Sequence, residues 1–153
     1  MEIRKAGLDD VETLAGLRLK LWPDASPAEL RAEAEALLGN RSQSGLPEAA
    51  FLAEADGQLV GFIEVGLRSH ADGCDPRHPV GFLEGWYVEP AFRKRGIGAA
   101  LVRAAEQWSR LQGCREMASD TWIDHEESQR AHAALGFEVV DRCVHFRKSL
   151  VGN

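Results

Sequence analysis

The stretch of this sequence that most clearly suggests chemistry is the run Arg93–Gly98, RKRGIG, where three consecutive cations stand before two closely spaced glycines. A glycine-rich turn that opens a helix presents unpaired backbone N–H groups and the positive end of the helix dipole to an anion. Gly96 and Gly98 let the backbone approach closely, and neighbouring amides can donate charge-assisted hydrogen bonds to phosphate oxygens. The run therefore predicts a diphosphate-binding turn. The alternative is a glycine-punctuated helix start with solvated cations.

This basic turn is an exception in an acidic chain. The 153 residues carry 24 acidic and 18 basic side chains, and the net charge of -6 argues against binding to nucleic acid or to an anionic membrane. The three cysteines are odd in number and show no Cys/His ligand spacing, so neither a disulfide framework nor a metal site is predicted. With no leader pattern and no apolar run of roughly 18 residues, a cytoplasmic protein is expected.

The elements that must position the turn follow from periodicity and end signals. Helical spacing predicts a first helix over residues 8–22, and the capping sequence SPAE from Ser26 predicts a second helix that ends at Gly39. Asp56-Gly57 between two β-rich runs predicts a hairpin. The run Val80–Pro90 predicts a central strand immediately before the turn.

Downstream of the turn, a helix over Gly98–Leu111, a strand in CREMASDTW and a short helix in HEESQRAHAAL are predicted, followed by two final strands in FEVVDR and CVHFRK. The element order is β-α-α-β-β-β-α-β-α-β-β. A strand, a crossover helix and the next strand around the turn imply one parallel pairing inside a mostly antiparallel sheet. The predicted fold class is α+β, with a mixed sheet in one domain over residues 1–153.

The run Arg93–Gly98 also fits the (Q/R)xxGx(G/A) signature of the GNAT superfamily of acetyl-CoA-dependent N-acetyltransferases, which this chain resembles over nearly its whole length. The tripeptides WYV before the turn and LGF at 135–137 fit the same family. More narrowly, FLEGWYV, GCREMASDT, SQ..H..LGF and the early LW resemble aminoglycoside 6'-N-acetyltransferases. The resemblance implies a mostly antiparallel central sheet with a parallel, splayed strand pair, flanked by helices.

The resemblance also implies a binding mode for acetyl-CoA. The strand that carries Trp86, Tyr87 and Val88 is expected to splay at a bulge and to pair its free backbone groups with the pantetheine arm. For the side chains of Trp86 and Tyr87 the alternative is a place in the strand core. His125 stands where this family often has an asparagine near the pantetheine, and Ser128 is the alternative hydroxyl there. The pyrophosphate is expected on the amides of Arg93, Lys94, Arg95, Gly96, Ile97, Gly98 and Ala99.

Acetyl transfer needs a neutral amine, although an alkyl ammonium has a pKa of about 10, so a base is required. Period-two alternation places Glu84 on the sheet face of Val88, whose N–H the resemblance assigns to the thioester carbonyl. Asp120 is an equal candidate for the base, and an ion pair with a nearby arginine is the alternative for Glu84. His132 stands where many members have a tyrosine that protonates the leaving thiolate, and it is a candidate general acid or a core residue.

The acceptor implied by the resemblance and by the acidic balance is a polycationic aminoglycoside. Trp22 is expected to pack against a sugar face, and Glu84, Asp120 and Asp141 are expected to attract the ammonium groups. The implied reaction is direct attack of the 6'-amine in a ternary complex, which would inactivate the antibiotic, and a homodimer is expected. The rivals are acetyl transfer to another small amine or to a protein N-terminus, and a non-catalytic module that binds CoA or nucleic acid.

Overall fold

The computed structural model describes residues 1–152, which form two compact units, Met1–Asp120 and the residues from Thr121 onward. Asn153, the last residue of the predicted domain, lies outside the described residues. Short 3-10 turns at Leu8–Asp10 and Pro90–Phe92 precede the first and third helices. The first unit contains β1 (Glu2–Lys5), α1 (Val11–Leu21), α2 (Pro27–Leu38), β2 (Glu48–Ala55), β3 (Gln58–Arg68), β4 (Val80–Val88), α3 (Ile97–Leu111) and β5 (Met117–Ser119).

The five strands of the first unit form one sheet in the order β1-β2-β3-β4-β5. The first three pairings are antiparallel, and β4 pairs with β5 in parallel. The predicted mixed sheet, mostly antiparallel with one parallel pair, is therefore confirmed. The parallel ladder is short, because only Gly81–Leu83 of β4 pairs with β5.

Local sequence signals set the ends of several elements. The Oγ of Ser26 accepts a hydrogen bond from the backbone N–H of Glu29 at 3.3 Å, and Pro27 occupies the first position of α2. Asp56 and Gly57 have φ angles of 51° and 75°, as a two-residue type I′ hairpin between β2 and β3 requires. The predicted helix cap and the predicted hairpin are both confirmed.

Helices cover both faces of the sheet. On one face, Phe62 of β3 is fully buried in a cluster with Leu14 and Leu17 of α1. On the other face, a Cβ added to Gly61 would lie 3.4 Å from Leu101 of α3. Because successive residues of a strand point to opposite faces, α1 and α3 pack on opposite sides of β3.

The pairing of β3 with β4 shifts by one residue at Glu84. Glu64 pairs with Gly85, whereas Val65 pairs with Leu83, so Glu84 is the extra residue of a β-bulge. The regular alternation of side chains along β4 is interrupted at this point. The period-two argument that placed Glu84 on the face of Val88 therefore does not hold across the bulge.

The second unit contains α4 (Glu126–Ala134), in agreement with the predicted short helix, and Gly136 follows it with a φ of 91°. Residues 137–150 form no strand, so the prediction of two final strands is wrong for the single chain. A strand exists only where a neighbour completes its backbone hydrogen bonds, and no ladder involving this segment forms among residues 1–152. The large apolar side chains of residues 139–151 are exposed: Val139, Val140, Val144, Phe146, Leu150 and Val151.

None of the helices in residues 1–152 is both long enough and apolar enough to cross a bilayer. Cys74, Cys114 and Cys143 are free thiols. Over the same residues, no group of three or more His, Cys, Asp and Glu side chains is placed to hold a metal ion.

Candidate active site

The carboxyl half of β4 has an unpaired edge. The N–H of Glu89 donates to the carbonyl of Val60 at 2.8 Å, so in the alternating antiparallel ladder the backbone groups of the preceding residue, Val88, point away from β3. On the other side of β4, pairing with β5 stops at Leu83, and no strand of the described chain pairs with β4 beyond it. The N–H of Val88 is thus directed to an edge where no strand lies.

The turn after β4 has the backbone geometry of an anion site. Lys94 and Gly96 adopt left-handed conformations, with φ angles of 62° and 81°, and Gly96 is the N-cap of α3. The first N–H groups of α3 have no partner inside the helix, and they lie at the positive end of its dipole. Nε of Arg93 donates to the Val88 carbonyl at 2.8 Å, which fixes the turn to the edge of β4.

Of the other side chains of the turn, some are buried in the protein and some are exposed to solvent. Ile97 is buried beneath the turn, and Ala99 lies in the first helical turn. The guanidinium of Arg95 lies 3.4 Å from the carboxylate of Asp56. Lys94 is exposed and makes no hydrogen bond or ion pair with any other residue in 1–152. Backbone donors and an uncompensated ammonium therefore fit a diphosphate at this turn.

The side chains of Trp86 and Tyr87 hold β4 between the helix layers. Nε1–H of Trp86 donates to the carbonyl of Gly98 at 3.2 Å, and a Cβ added to Gly98 would lie only 3.3 Å from the indole ring. Tyr87 packs against the core on the α1 side, and its hydroxyl donates to Glu89 at 3.3 Å. Burial, reinforced by Glu89, raises the pKa of the Tyr87 phenol. These contacts agree with the alternative interpretation, in which both side chains belong to the strand core.

The two candidate bases lie at the same level of the sheet, where β4 and β5 part. Ser119 pairs with Leu83 in the parallel ladder, and Asp120 and Glu84 are the next residues of the two strands. Nη2 of Arg68 donates to both carboxylate oxygens of Glu84 at 2.9 Å, the arginine pairing that was the alternative for this residue. Asp120 is exposed and has no hydrogen bond or ion pair within residues 1–152. Its carboxylate is therefore the more accessible proton acceptor.

Trp22 lies directly over the bulged part of β4. Its ring packs edge-on against Phe62 with centroids 6.4 Å apart, and a Cβ at Gly85 would lie 2.8 Å from its Cη2. The guanidinium carbon of Arg18 lies 5.2 Å from the ring centroid. Nε of the same guanidinium lies 3.2 Å from a carboxylate oxygen of Glu64, a side chain that is 3% exposed. Sequence reasoning named Trp22 but missed Arg18 and Glu64, although an acid inside the apolar run GFIEVG was a visible signal.

The remaining predicted site residues belong to the second unit. Nδ1 of His132 lies 2.7 Å from the backbone carbonyl of Ser128, so Nδ1 carries a proton, and any proton given to a substrate must come from Nε2. The ring also packs edge-on against Phe137, with centroids 5.3 Å apart. His125 is the N-cap of α4. Asp141 lies in the segment without strand structure and accepts a hydrogen bond from the N–H of Arg142.

Comparison with known proteins gives one family and a consistent group of relatives. Residues 12–137 match the family described as Acetyltransferase (GNAT) family. The chain is 44% identical over 150 residues to aminoglycoside N(6')-acetyltransferase type 1 of Stenotrophomonas maltophilia, a match that covers 97% of this chain and 93% of the relative. It is 42% identical over 150 residues to the protein of the same name from Klebsiella aerogenes, with coverages of 97% and 96%. The solved structure of AAC(6')-Iy with the bisubstrate analogue CoA-S-monomethyl-acetylneamine aligns at a TM-score of 0.86 and 40% identity over 97% of both chains.

Proposed function

Because this chain belongs to the acetyltransferase (GNAT) family, we propose that it is an acetyl-CoA-dependent aminoglycoside 6'-N-acetyltransferase. Residues 1–153 act as one catalytic domain, and the family match supports this because it runs through both compact units. The reaction is direct attack of the 6'-amine on the acetyl thioester in a ternary complex, and it inactivates the antibiotic. The observation that carries the proposal is the unpaired β4 edge at Val88 beside the anion-binding turn.

Acetyl-CoA supplies an activated acetyl group as a thioester when it is bound. The N–H groups that open α3 and the ammonium of Lys94 would hold its diphosphate, and the backbone edge of β4 would pair with its extended arm. We assign His125 and Ser128 to the same arm. The N–H of Val88, directed to this edge, would donate to the thioester carbonyl oxygen, where negative charge grows as the amine attacks.

Asp120 would accept the proton that the 6'-ammonium must lose. Its carboxylate has no partner among residues 1–152, whereas both oxygens of Glu84 accept hydrogen bonds from Arg68. We therefore assign the base to Asp120 and give Glu84 the role of attracting a second ammonium group. His132 would protonate the leaving thiolate through Nε2, since its Nδ1 proton is committed to the Ser128 carbonyl.

The acceptor is assigned from charge as well as from the relatives' names. A polycation is attracted to a chain of net charge -6, and the carboxylates of Glu84, Asp120 and Asp141 would pair with its ammonium groups. Trp22 offers an indole ring for a sugar face. We place the reaction in the cytoplasm, where the three free thiols of the chain persist in the reduced state.

A homodimer is part of the proposal because residues 137–150 were predicted to form strands, expose apolar side chains and have no partner strand among residues 1–152. A second copy of the chain would complete them. The purified protein is expected at twice 16.8 kDa in size-exclusion chromatography with light scattering. Val140→Glu with Phe146→Glu should give a monomer, whereas Glu138→Gln, a conservative change in the same segment, should not. A wild-type monomer at micromolar concentration would contradict the dimer.

The proposed activity is tested by release of CoA thiol over a panel of aminoglycosides. The panel pairs compounds that carry a 6'-amine with compounds that carry a 6'-hydroxyl and are otherwise closely similar. Thiol release is expected only with the first group, because a hydroxyl at this position offers no amine nucleophile. Equal release with both groups would place the reaction at another amine. No release with either group, together with release on other small amines, would support the rival acceptor.

A further inference from the structure

A buried ion pair joins three elements of the first unit. The Arg18 side chain, 8% exposed, reaches from α1 to α2, where it donates to the backbone carbonyl of Leu30 at 3.1 Å and to the carboxylate of Glu33 at 2.9 Å. Its Nε lies 3.2 Å from Oε2 of Glu64 on β3, and neither of these two atoms has a hydrogen-bond partner among residues 1–152. One guanidinium therefore ties the helix pair to the centre of the sheet.

This pair lies directly against the ring of Trp22. Arg18 and Trp22 are one helical turn apart, and the guanidinium carbon lies 5.2 Å from the ring centroid, within cation–π distance. The edges of the ring are restrained by Phe62 and by the backbone at Gly85. Glu64 pairs with Gly85 in the strand register, so the carboxylate that holds the guanidinium belongs to the same bulge that supports the ring.

We propose that Arg18 and Glu64 are positioning residues for the acceptor: together they hold the Trp22 ring in the orientation in which it receives a sugar of the aminoglycoside. This inference rests on the proposed function and concerns its acceptor site alone. Stability by itself does not account for the pair, because a buried ion pair can usually be replaced by apolar side chains of similar size at little loss. A guanidinium held at a fixed place beside an indole ring is what apolar side chains cannot supply.

The test is a double-mutant cycle that uses Glu64→Gln and Trp22→Leu. Glu64→Gln is expected to raise the KM for the aminoglycoside by about ten-fold, within the range seen for coupled neighbours. The KM for acetyl-CoA should change by less than about two-fold, since the pair does not contact the turn at Arg93–Gly98. In the Trp22→Leu background, Glu64→Gln should produce no further change. Additive effects of the two substitutions would overturn the proposal, because Glu64 would then act independently of the ring.

Two further variants make the test decisive. Arg18→Lys keeps the charge but loses the planar fork, so it should raise the KM for the aminoglycoside as Glu64→Gln does. If one of the two variants folds poorly, the other still tests the proposal. The matched control is Glu12→Gln, which breaks the exposed pair of Glu12 with Arg31 between the same two helices and should leave both KM values unchanged. An equal effect of the control would overturn the proposal, since any loosening of α1 from α2 would then be enough to raise the KM for the aminoglycoside.

A readout that needs no turnover separates this inference from the proposed function. The Trp22 contribution to fluorescence is the difference between each protein and its Trp22→Leu counterpart, and its quenching by acrylamide reports how firmly the ring is held. Glu64→Gln should increase that quenching, and unchanged quenching would overturn the positioning role. Failure of the wild type to acetylate any aminoglycoside would overturn the proposed function instead.

Discussion

Glu64 makes the stability of this protein depend on pH in a direction opposite to that of an ordinary carboxylate. Burial raises the pKa of Glu64 from its usual 4.5 to about 7, although Arg18 acts to lower it. Between these two values the folded protein binds a proton that the unfolded chain has already released. Since stability falls with pH wherever the native state binds more protons, the free energy of unfolding should decrease as pH rises from 4.5 to 7.

The size of this effect follows from the two pKa values. One pKa unit corresponds to about 1.4 kcal/mol, so the span from 4.5 to about 7 corresponds to about 3 kcal/mol of unfolding free energy. The assay is urea unfolding followed by tryptophan fluorescence at a series of pH values, for the wild type and for Glu64→Gln. The difference between the two proteins isolates Glu64. The contribution of Asp10, whose pKa is lowered by Arg4, is lost only below its usual 3.8 and cancels in this difference.

Wild-type stability should fall by about 3 kcal/mol relative to Glu64→Gln between pH 4.5 and 7, and the difference should be flat at higher pH. A difference that does not change with pH would show that Glu64 titrates as it does in the unfolded chain. A wild type that gains stability relative to the variant as pH rises would show that the attraction of Arg18 exceeds the desolvation of Glu64. Either result would show that burial does not raise the pKa of Glu64.

The remaining predictions concern the base, the turn and the packing of the sheet. Asp120→Asn should lower kcat by roughly 100-fold, as expected for loss of a general base. Glu84→Gln should mainly raise the KM for the aminoglycoside. Steady-state kinetics that show the reverse pattern would exchange the two roles. Gly96→Ala should destabilise the fold by about 1–2 kcal/mol. The cost comes from the positive φ alone, because an added Cβ would meet no atom within 4 Å. Calorimetry should also show weaker binding of acetyl-CoA. Gly81→Ala should destabilise by about 1–3 kcal/mol, because the new Cβ would lie 2.1 Å from Oγ of Ser109; an unchanged midpoint in urea would contradict this packing.

Sequence reasoning succeeded where a signal is local. The serine cap and first-position proline of α2, the Asp56-Gly57 hairpin and the two glycines at the start of α3 each specify a backbone conformation through their own residues. The family motif then predicted how the elements with these local signals are arranged in the whole fold. The expectation of one parallel strand pair followed from the crossover helix and was also correct.

Sequence reasoning failed where structure depends on register or on a partner. The resemblance predicted a bulge in the strand of Trp86, and β4 has one. Its position at Glu84 depends on the register between β3 and β4, which no residue type specifies, and this position removes the simple face argument for that carboxylate. The contact of Arg68 with Glu84 and that of Arg18 with Glu64 depend on the same register. The last two predicted strands contain valine and phenylalanine, which favour strands, but a strand also requires a neighbour, which residues 1–152 do not provide.

The proposed function requires that the β4 edge and the turn deliver an acetyl group to one particular amine. The most direct measurement is the NMR spectrum of the product formed from acetyl-CoA and an aminoglycoside that bears several amines. A single acetyl group on the 6'-nitrogen is expected. An acetyl group on any other nitrogen, or a mixture of acetylated positions, would be incompatible with the proposed function.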